Sequence, residues 1–155
     1  MGHQLIGEVL SSMGRLSSID IDEILAEQAI SGMKFGAIAV SLGMCGREQV
    51  CEAWCLQLAD EIRTLGLDAV GFDLREAACL PEQTARRWGV LPMGHFAGIA
   101  VMAAARAPTG DEVVALAAML GRDVRFVAVG AEEMERALRG VYGVVSQRES
   151  AHAAA

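Results

Sequence analysis

The side chains that could do chemistry in this chain are few and scattered. Of the three histidines only His95 lies away from the chain ends, and we expect it in a solvated turn. The sequence contains neither the G-x-S-x-G motif of serine hydrolases nor the H-E-x-x-H motif of zinc proteases. It also lacks G-x-x-x-x-G-K-[ST], which excludes an autonomous P-loop ATPase. These residues favour a protein that is not an enzyme.

The cysteines raise the question of a metal site. Cys51 and Cys55 are four residues apart, so on a helix both could face one ion. Structural zinc needs four ligands, usually from closely spaced pairs, and only Cys45 and the distant Cys79 could complete a set. A thiol also packs readily as a small hydrophobe. We therefore expect packing here and no metal.

Two stretches of the chain repeat each other at an offset of 29 residues, from Leu5 to Gln28 and from Lys34 to Gln57. Each block predicts a short helix, a tight turn and a longer helix. In the first block Gly14 is a natural helix stop, and Ser17 with Asp20 fits a capping box. The identical pairs are Gly7 and Gly36, Ser12 and Ser41, Gly14 and Gly43, Glu23 and Glu52, and Gln28 and Gln57.

The glycines of the repeats indicate that another group lies close to the helix backbone. Gly is disfavoured inside a helix, so Gly7 and Gly36 suggest that either a neighbouring helix or a ligand lies against the backbone. Gly7 and Gly14, seven residues apart, are expected on one helical face. Gln28 and Gln57 close the blocks, and their amides suit either a purine edge or a solvated helix end.

The helical spacing of apolar residues gives way to a mixture of strand-like and helical segments after about Leu65. The remaining chain predicts a small sheet of about three strands with helices against it, and a disordered tail. We expect an α+β fold: a helical repeat subdomain over 4–65 packed on an α+β subdomain over 66–143, with a tail over 144–155. In order, the predicted elements are a strand over 66–72, a helix over 80–88, strands over 89–93 and 98–105 around a turn at 94–97, a helix over 111–120, a strand over 124–129, a helix over 132–141, and a tail from 146.

Composition and charge limit the classes of partner and the location that we expect for this chain. The chain has 155 residues, is 53% hydrophobic and carries a net charge of −7. The acidic balance argues against DNA or RNA as a partner, because such a partner needs a basic face. No apolar run reaches transmembrane length, and the first residues lack the features of a signal peptide. We expect a cytoplasmic location.

The two blocks resemble the tandem motif of the MshEN domain, the N-terminal domain of type II secretion and type IV pilus assembly ATPases. That motif runs Arg-Leu-Gly, Leu, Gly, a branched apolar residue, Leu and a closing Gln. The matching positions are Leu5, Ile6, Gly7, Leu10, Gly14, Leu16, Ile21, Leu25 and Gln28 in the first block, and Lys34, Phe35, Gly36, Ala39, Gly43, Cys45, Val50, Trp54 and Gln57 in the second. The stretches 80–81, 85–87, 90–92, Gly121 and 141–143 are also similar to the family.

The resemblance implies a non-catalytic regulatory domain that binds the bacterial second messenger cyclic di-GMP, one block for each half of the dinucleotide. All the motif positions named in the two blocks, except Ala39 and Cys45, are then expected at the ligand, with no metal and no other cofactor. The implied partner is a secretion or pilus ATPase, a glycosyltransferase or a membrane platform protein. The chain departs from the family at Leu5 and Lys34, where the motif has Arg, and at the smaller Ala39 and Cys45. These departures keep open the alternative of a protein-docking module that binds no nucleotide.

Overall fold

A computed structural model describes residues 5–70 and 73–154 of the chain. The chain divides into two compact units, Met1–Asp60 and Glu61–Ala155. Within the described residues no helix is long and apolar enough to cross a membrane. The elements are α1 (Ile6–Ser12), α2 (Ser18–Ser31), α3 (Phe35–Ser41), α4 (Arg47–Leu65), α5 (Leu67–Val70), α6 (Leu74–Ala78), α7 (Glu82–Trp88), β1 (Val90–Phe96), β2 (Ile99–Ala104), α8 (Gly110–Leu120), β3 (Asp123–Ala128) and α9 (Ala131–Ala153).

The first unit is helical, and its core is the apolar face of each short helix. Val9 and Leu10 of α1 are buried, and Ile38 is the fully buried residue at the equivalent place in α3. The third helix packs against both α1 and α2, and α2 contributes the fully buried Ile24. Apolar residues three and four apart lie on one side of a helix, which is why this spacing predicts the buried face.

The predicted repeat is a structural repeat. Helices α1 and α3 have the same length and begin 29 residues apart, and the same offset separates the starts of α2 and α4. The caps correspond as well: the Ser17 N–H donates to Asp20 at 2.7 Å, and the Gly46 N–H donates to Gln49 at 3.0 Å. This hydrogen bond from the Ser17 N–H lowers the pKa of the Asp20 carboxyl. The predicted helix–turn–helix pattern is confirmed in both blocks.

The second unit is built on a three-stranded sheet in the order β1–β2–β3. Strands β1 and β2 are antiparallel, whereas β2 and β3 are parallel and joined through α8. Every residue of the central strand β2 is buried, as expected for a strand covered on both faces. Thr109 caps α8 by accepting a hydrogen bond from the Glu112 N–H. Helices followed by a small sheet confirm the predicted α+β class.

Several local predictions were wrong. The stretch 66–72 is not a strand: Leu67–Val70 forms α5, while Gly71 and Phe72 lie outside the described residues. Helix α6 was not predicted at all. The two-residue hairpin turn is Ala97–Gly98, both with positive φ, so β1 runs on through residues 94–96 that were expected to be the turn. The last helix continues to Ala153 where a disordered tail was expected.

Tyr142 ties α9 to the segment between α6 and α7. Its hydroxyl donates to the carbonyl oxygen of Leu80 at 2.9 Å, and the residue is 4% exposed. Burial raises the pKa of this phenol to about 12, from an ordinary value of 10.0. Burial penalises the charged phenolate, so the folded state favours the neutral form.

We expect the burial of Tyr142 to make the free energy of unfolding fall between about pH 10 and pH 12. The stabilisation is present below pH 10, where both states are protonated, and is lost as the pH rises toward 12 because only the unfolded phenol ionises. The loss is on the order of 2 kcal/mol. Urea unfolding from pH 8 to 12 would measure it, and Tyr142→Phe should remove that part of the pH dependence. Since Tyr142 is the only tyrosine, absorbance at 295 nm follows its ionisation directly; an ordinary midpoint near 10 would contradict this expectation.

Candidate functional site

The two motifs begin at equivalent helix N-termini. Leu5 is the N-cap of α1 and Lys34 is the N-cap of α3, and both have extended backbone torsions that agree within a few degrees. Both side chains are exposed, and Leu5 keeps 63% of its surface in solvent. Among the described residues Lys34 makes no ion pair. At the other position the Glu8 carboxylate accepts a hydrogen bond from the Leu5 N–H at 2.9 Å.

The second glycine of each motif forms the turn after the short helix. Gly14 and Gly43 have φ of +71° and +70°, a left-handed conformation that Gly adopts without strain. A side chain added at either position would meet nothing within 4 Å. The prediction that Gly7 and Gly14 share one helical face was wrong, because α1 ends at Ser12 and Gly14 lies beyond it. The turn itself accounts for this glycine.

The first glycine of the first motif lies against an aromatic ring of the second block. A Cβ at Gly7 would lie 2.9 Å from the Cζ of Phe35, closer than van der Waals contact allows. The Phe35 ring of the second block thus fills the space that Gly7 leaves in the first. Of the two explanations for a glycine at position 7, the neighbouring helix is the one seen here. Gly36, its counterpart in α3, is also buried.

The apolar motif residues separate into two groups by exposure. Leu10, Leu16 and Val50 are buried in the core, so they shape the first unit from within and leave no surface for a ligand. Ile6, Ile21, Phe35 and Trp54 are partly exposed, and Leu25 is exposed. The glycines Gly14 and Gly43 are exposed as well. The accessible side chains of the motif are therefore Leu5, Ile6, Ile21, Leu25, Gln28, Lys34, Phe35, Trp54 and Gln57.

The closing glutamines are both half-buried but are placed differently. The Gln28 amide nitrogen donates to the Met33 carbonyl oxygen at 3.1 Å, which fixes the connection between α2 and α3. Gln28 lies in the last turn of its helix, whereas Gln57 lies inside the longer α4. The expectation of a helix end was therefore wrong for Gln57. The side-chain amide oxygen of Gln28, Oε1, can still accept a hydrogen bond.

The cysteines of the first unit pack as apolar residues. Cys45 is 6% exposed and Cys51 only 1% exposed. Burial raises the pKa of the Cys45 thiol, which disfavours the thiolate that binds metals. Within residues 5–70 and 73–154, no three histidine, cysteine or acidic side chains lie together as a metal site would require.

A cluster of ionisable residues in the second unit was not predicted from the sequence. Glu76 is 7% exposed, and its carboxylate receives Arg122 at 2.8 Å and lies 2.6 Å from the Nδ1 of His95. His95 lies on β1 and not in a turn as predicted, and its exposed side chain is paired with Glu76. A buried carboxylate needs such partners, because burying an unpaired charge is costly. Residues so far apart along the chain share no local spacing from which the cluster could be predicted.

Comparison with known proteins gives matches only at the level of structure. No family model matches the chain, and no curated protein matches it. A solved structure of MshE with cdg is similar over 90% of this chain and 99% of the other, at 22% identity and a TM-score of 0.45. The N-terminal domain of XpsE is similar over 90% and 98%, at 18% identity and a TM-score of 0.38.

The first of these proteins carries the name of the family that the two repeats resemble. At these identities and TM-scores the two matches carry no argument about function.

The Gly7–Phe35 contact gives a direct test of the packing. We expect Gly7→Ala to destabilise the fold by roughly 1 kcal/mol, since overpacking costs more than the gain in helix propensity. In a Phe35→Leu background the same change should be neutral or stabilising, because the ring is gone. Chemical denaturation of the four variants completes a double-mutant cycle.

Gly140 of α9 provides the matched control. It is also a helical glycine, but a Cβ there would meet nothing within 4 Å. Gly140→Ala should therefore stabilise the protein by roughly 0.5 to 1 kcal/mol. If Gly7→Ala behaves like Gly140→Ala, the ring does not restrict position 7.

Proposed function

We propose that this chain is a non-catalytic regulatory domain that binds cyclic di-GMP through its two repeats. The observation that carries the proposal is the structural equivalence of the blocks, whose helix starts, caps and turns correspond at one constant offset. A cyclic dinucleotide has two like halves, and two like half-sites in one unit suit it. Cytoplasmic location and control of a secretion, pilus or glycosyltransferase machine belong to the same proposal.

Lys34 is the residue best placed to meet a ligand phosphate. It stands exposed at the N-terminus of α3, where the helix dipole adds to the positive charge of its ammonium group. Lysine offers a point charge and not the planar fork of arginine. Leu5 occupies the equivalent place in the first block and brings no charge, so the first half-site is the weaker of the two.

The apolar and amide contacts come from the accessible motif residues. Ile21 and Leu25 of α2 and Trp54 of α4 are at equivalent or neighbouring motif positions, and each keeps part of its surface in solvent. They offer apolar surface to a base, while the half-buried Gln28 and Gln57 can bond polar edges. Leu10, Leu16 and Val50 act from the core by fixing the helices.

Restoring the family's arginine tests the proposal. Leu5→Arg should tighten cyclic di-GMP binding through charge-assisted hydrogen bonds, and Leu5 has the exposure to accept the longer side chain. Leu65→Arg adds the same charge at another exposed leucine and should leave affinity unchanged. Isothermal titration calorimetry at low salt measures both.

Replacing the glutamines tests the other half of the site. Gln28→Ala and Gln57→Ala should each weaken binding by about 1 to 2 kcal/mol, the scale of one lost hydrogen bond. Because the Gln28 side chain also donates a hydrogen bond to Met33, the melting temperature of the Gln28→Ala variant must be compared with that of the unchanged protein. If the ligand gives no heat at high micromolar concentration, and Leu5→Arg gives none either, the proposal fails.

The docking module is the second candidate, and the exposed Leu5 at the first motif position favours it. An apolar side chain with 63% of its surface in solvent suits a protein partner better than a phosphate. Pull-down from native cells with and without cyclic di-GMP distinguishes the two functions. Capture that does not depend on the nucleotide would support docking, whereas nucleotide-dependent capture would support sensing.

A further inference from the structure

Helix α2 carries an apolar stripe on the side that faces away from its own core contact. Ile19 and Ile30 keep 75% and 83% of their surface in solvent, and Ala26 between them is exposed. Residues seven and four apart fall within about 40° of one another around a helix. The three side chains therefore lie along one line of the helix, roughly 16 Å long at 1.5 Å per residue, which we call the outer stripe. Asp22 and Glu23 lie beside this line, between Ile19 and Ala26.

This outer stripe is separate from the proposed nucleotide surface. The buried Ile24 lies about 140° around the helix from the stripe, and Leu25 and Gln28 lie between about 120° and 180° from it. The accessible motif residues of α2 thus occupy a different side. The inference that follows does not rest on the proposed function.

Acidic residues lie on both flanks of the outer stripe. Asp22, Glu23 and Glu27 are exposed, and among the described residues none of the three forms an ion pair or a side-chain hydrogen bond. Helix α2 contains no lysine or arginine at all. An exposed apolar stripe bordered by charges of one sign is typical of an interaction surface with an oppositely charged partner.

We propose that the outer stripe of α2 docks a basic amphipathic helix of a partner protein. In such a complex the partner's apolar side chains cover Ile19, Ala26 and Ile30, and its lysines or arginines face the acidic flanks. The charge excludes the other occupants: an anionic bilayer and a nucleic acid are repelled. Two copies of α2 packed on each other would place like charges together, which is unfavourable.

A designed peptide tests this surface on the full chain. The probe is an 18-residue fluorescent helix with leucine at heptad positions a and d and lysine at the flanking positions, followed by fluorescence anisotropy. The variant Ile19→Ser with Ile30→Ser should weaken binding at least tenfold. Val114→Ser removes a comparably exposed residue from α8 and should change affinity less than twofold. A probe with glutamate in place of lysine should not bind.

The acidic flanks have their own matched control. Glu23→Gln with Glu27→Gln should weaken binding several-fold and reduce its salt dependence. Glu132→Gln with Glu149→Gln removes the same charge from exposed positions on α9 and should have less effect. Circular dichroism melting verifies that each variant is folded.

Three results would overturn the proposal. The first is equal affinity for Ile19→Ser with Ile30→Ser and for Val114→Ser. The second is a dimer in sedimentation velocity that the Ile19 and Ile30 changes dissolve, because the occupant would then be a second copy. The third is binding to phosphatidylserine vesicles that those changes abolish. Calorimetry with cyclic di-GMP on the same variant separates the two proposals, since the outer stripe should leave nucleotide binding unchanged.

Discussion

The approach of the Phe35 ring to the Gly7 backbone is the contact on which the first unit depends. It joins the first turn of α1 to the first turn of α3, and these turns carry the two motif starts. Because an interior is close-packed, the ring can occupy this place only while position 7 has no side chain. The contact therefore lies between the two helix starts that carry the exposed side chains of Leu5 and Lys34.

The repeats could be predicted from sequence because every signal that defines them is local. Helical spacing places Val9 and Leu10 on one face, Ser17 and Asp20 cap the next helix, and Gly14 ends the turn between them. Each of these interactions spans a few residues, so a pattern within one block is sufficient. Which of the two explanations holds for Gly7 could not be predicted, because the Phe35 ring that packs against it comes from the other block.

The second unit was harder to predict for physical reasons that particular elements show. Helices α5 and α6 are four and five residues long, too short to establish a helical period. His95 was misplaced because the hairpin turn at Ala97–Gly98 requires positive φ at an alanine, which its type does not suggest. The Glu76 cluster depends on tertiary contacts between a helix, a strand and a loop. Residue type also does not show which apolar motif residues are buried and which are exposed, because this depends on how the helices pack.

The constant offset of the two blocks has a consequence for how the domain works in solution. Proteins that need two equivalent half-sites often obtain them by dimerising, and their affinity then varies with protein concentration. In the proposed function both half-sites lie in one polypeptide at fixed stoichiometry, so the second contact of a bridging ligand is intramolecular. On that proposal the response depends on the amount of ligand alone. The two blocks can also differ from each other independently, as they do at their first positions, where one has leucine and the other lysine.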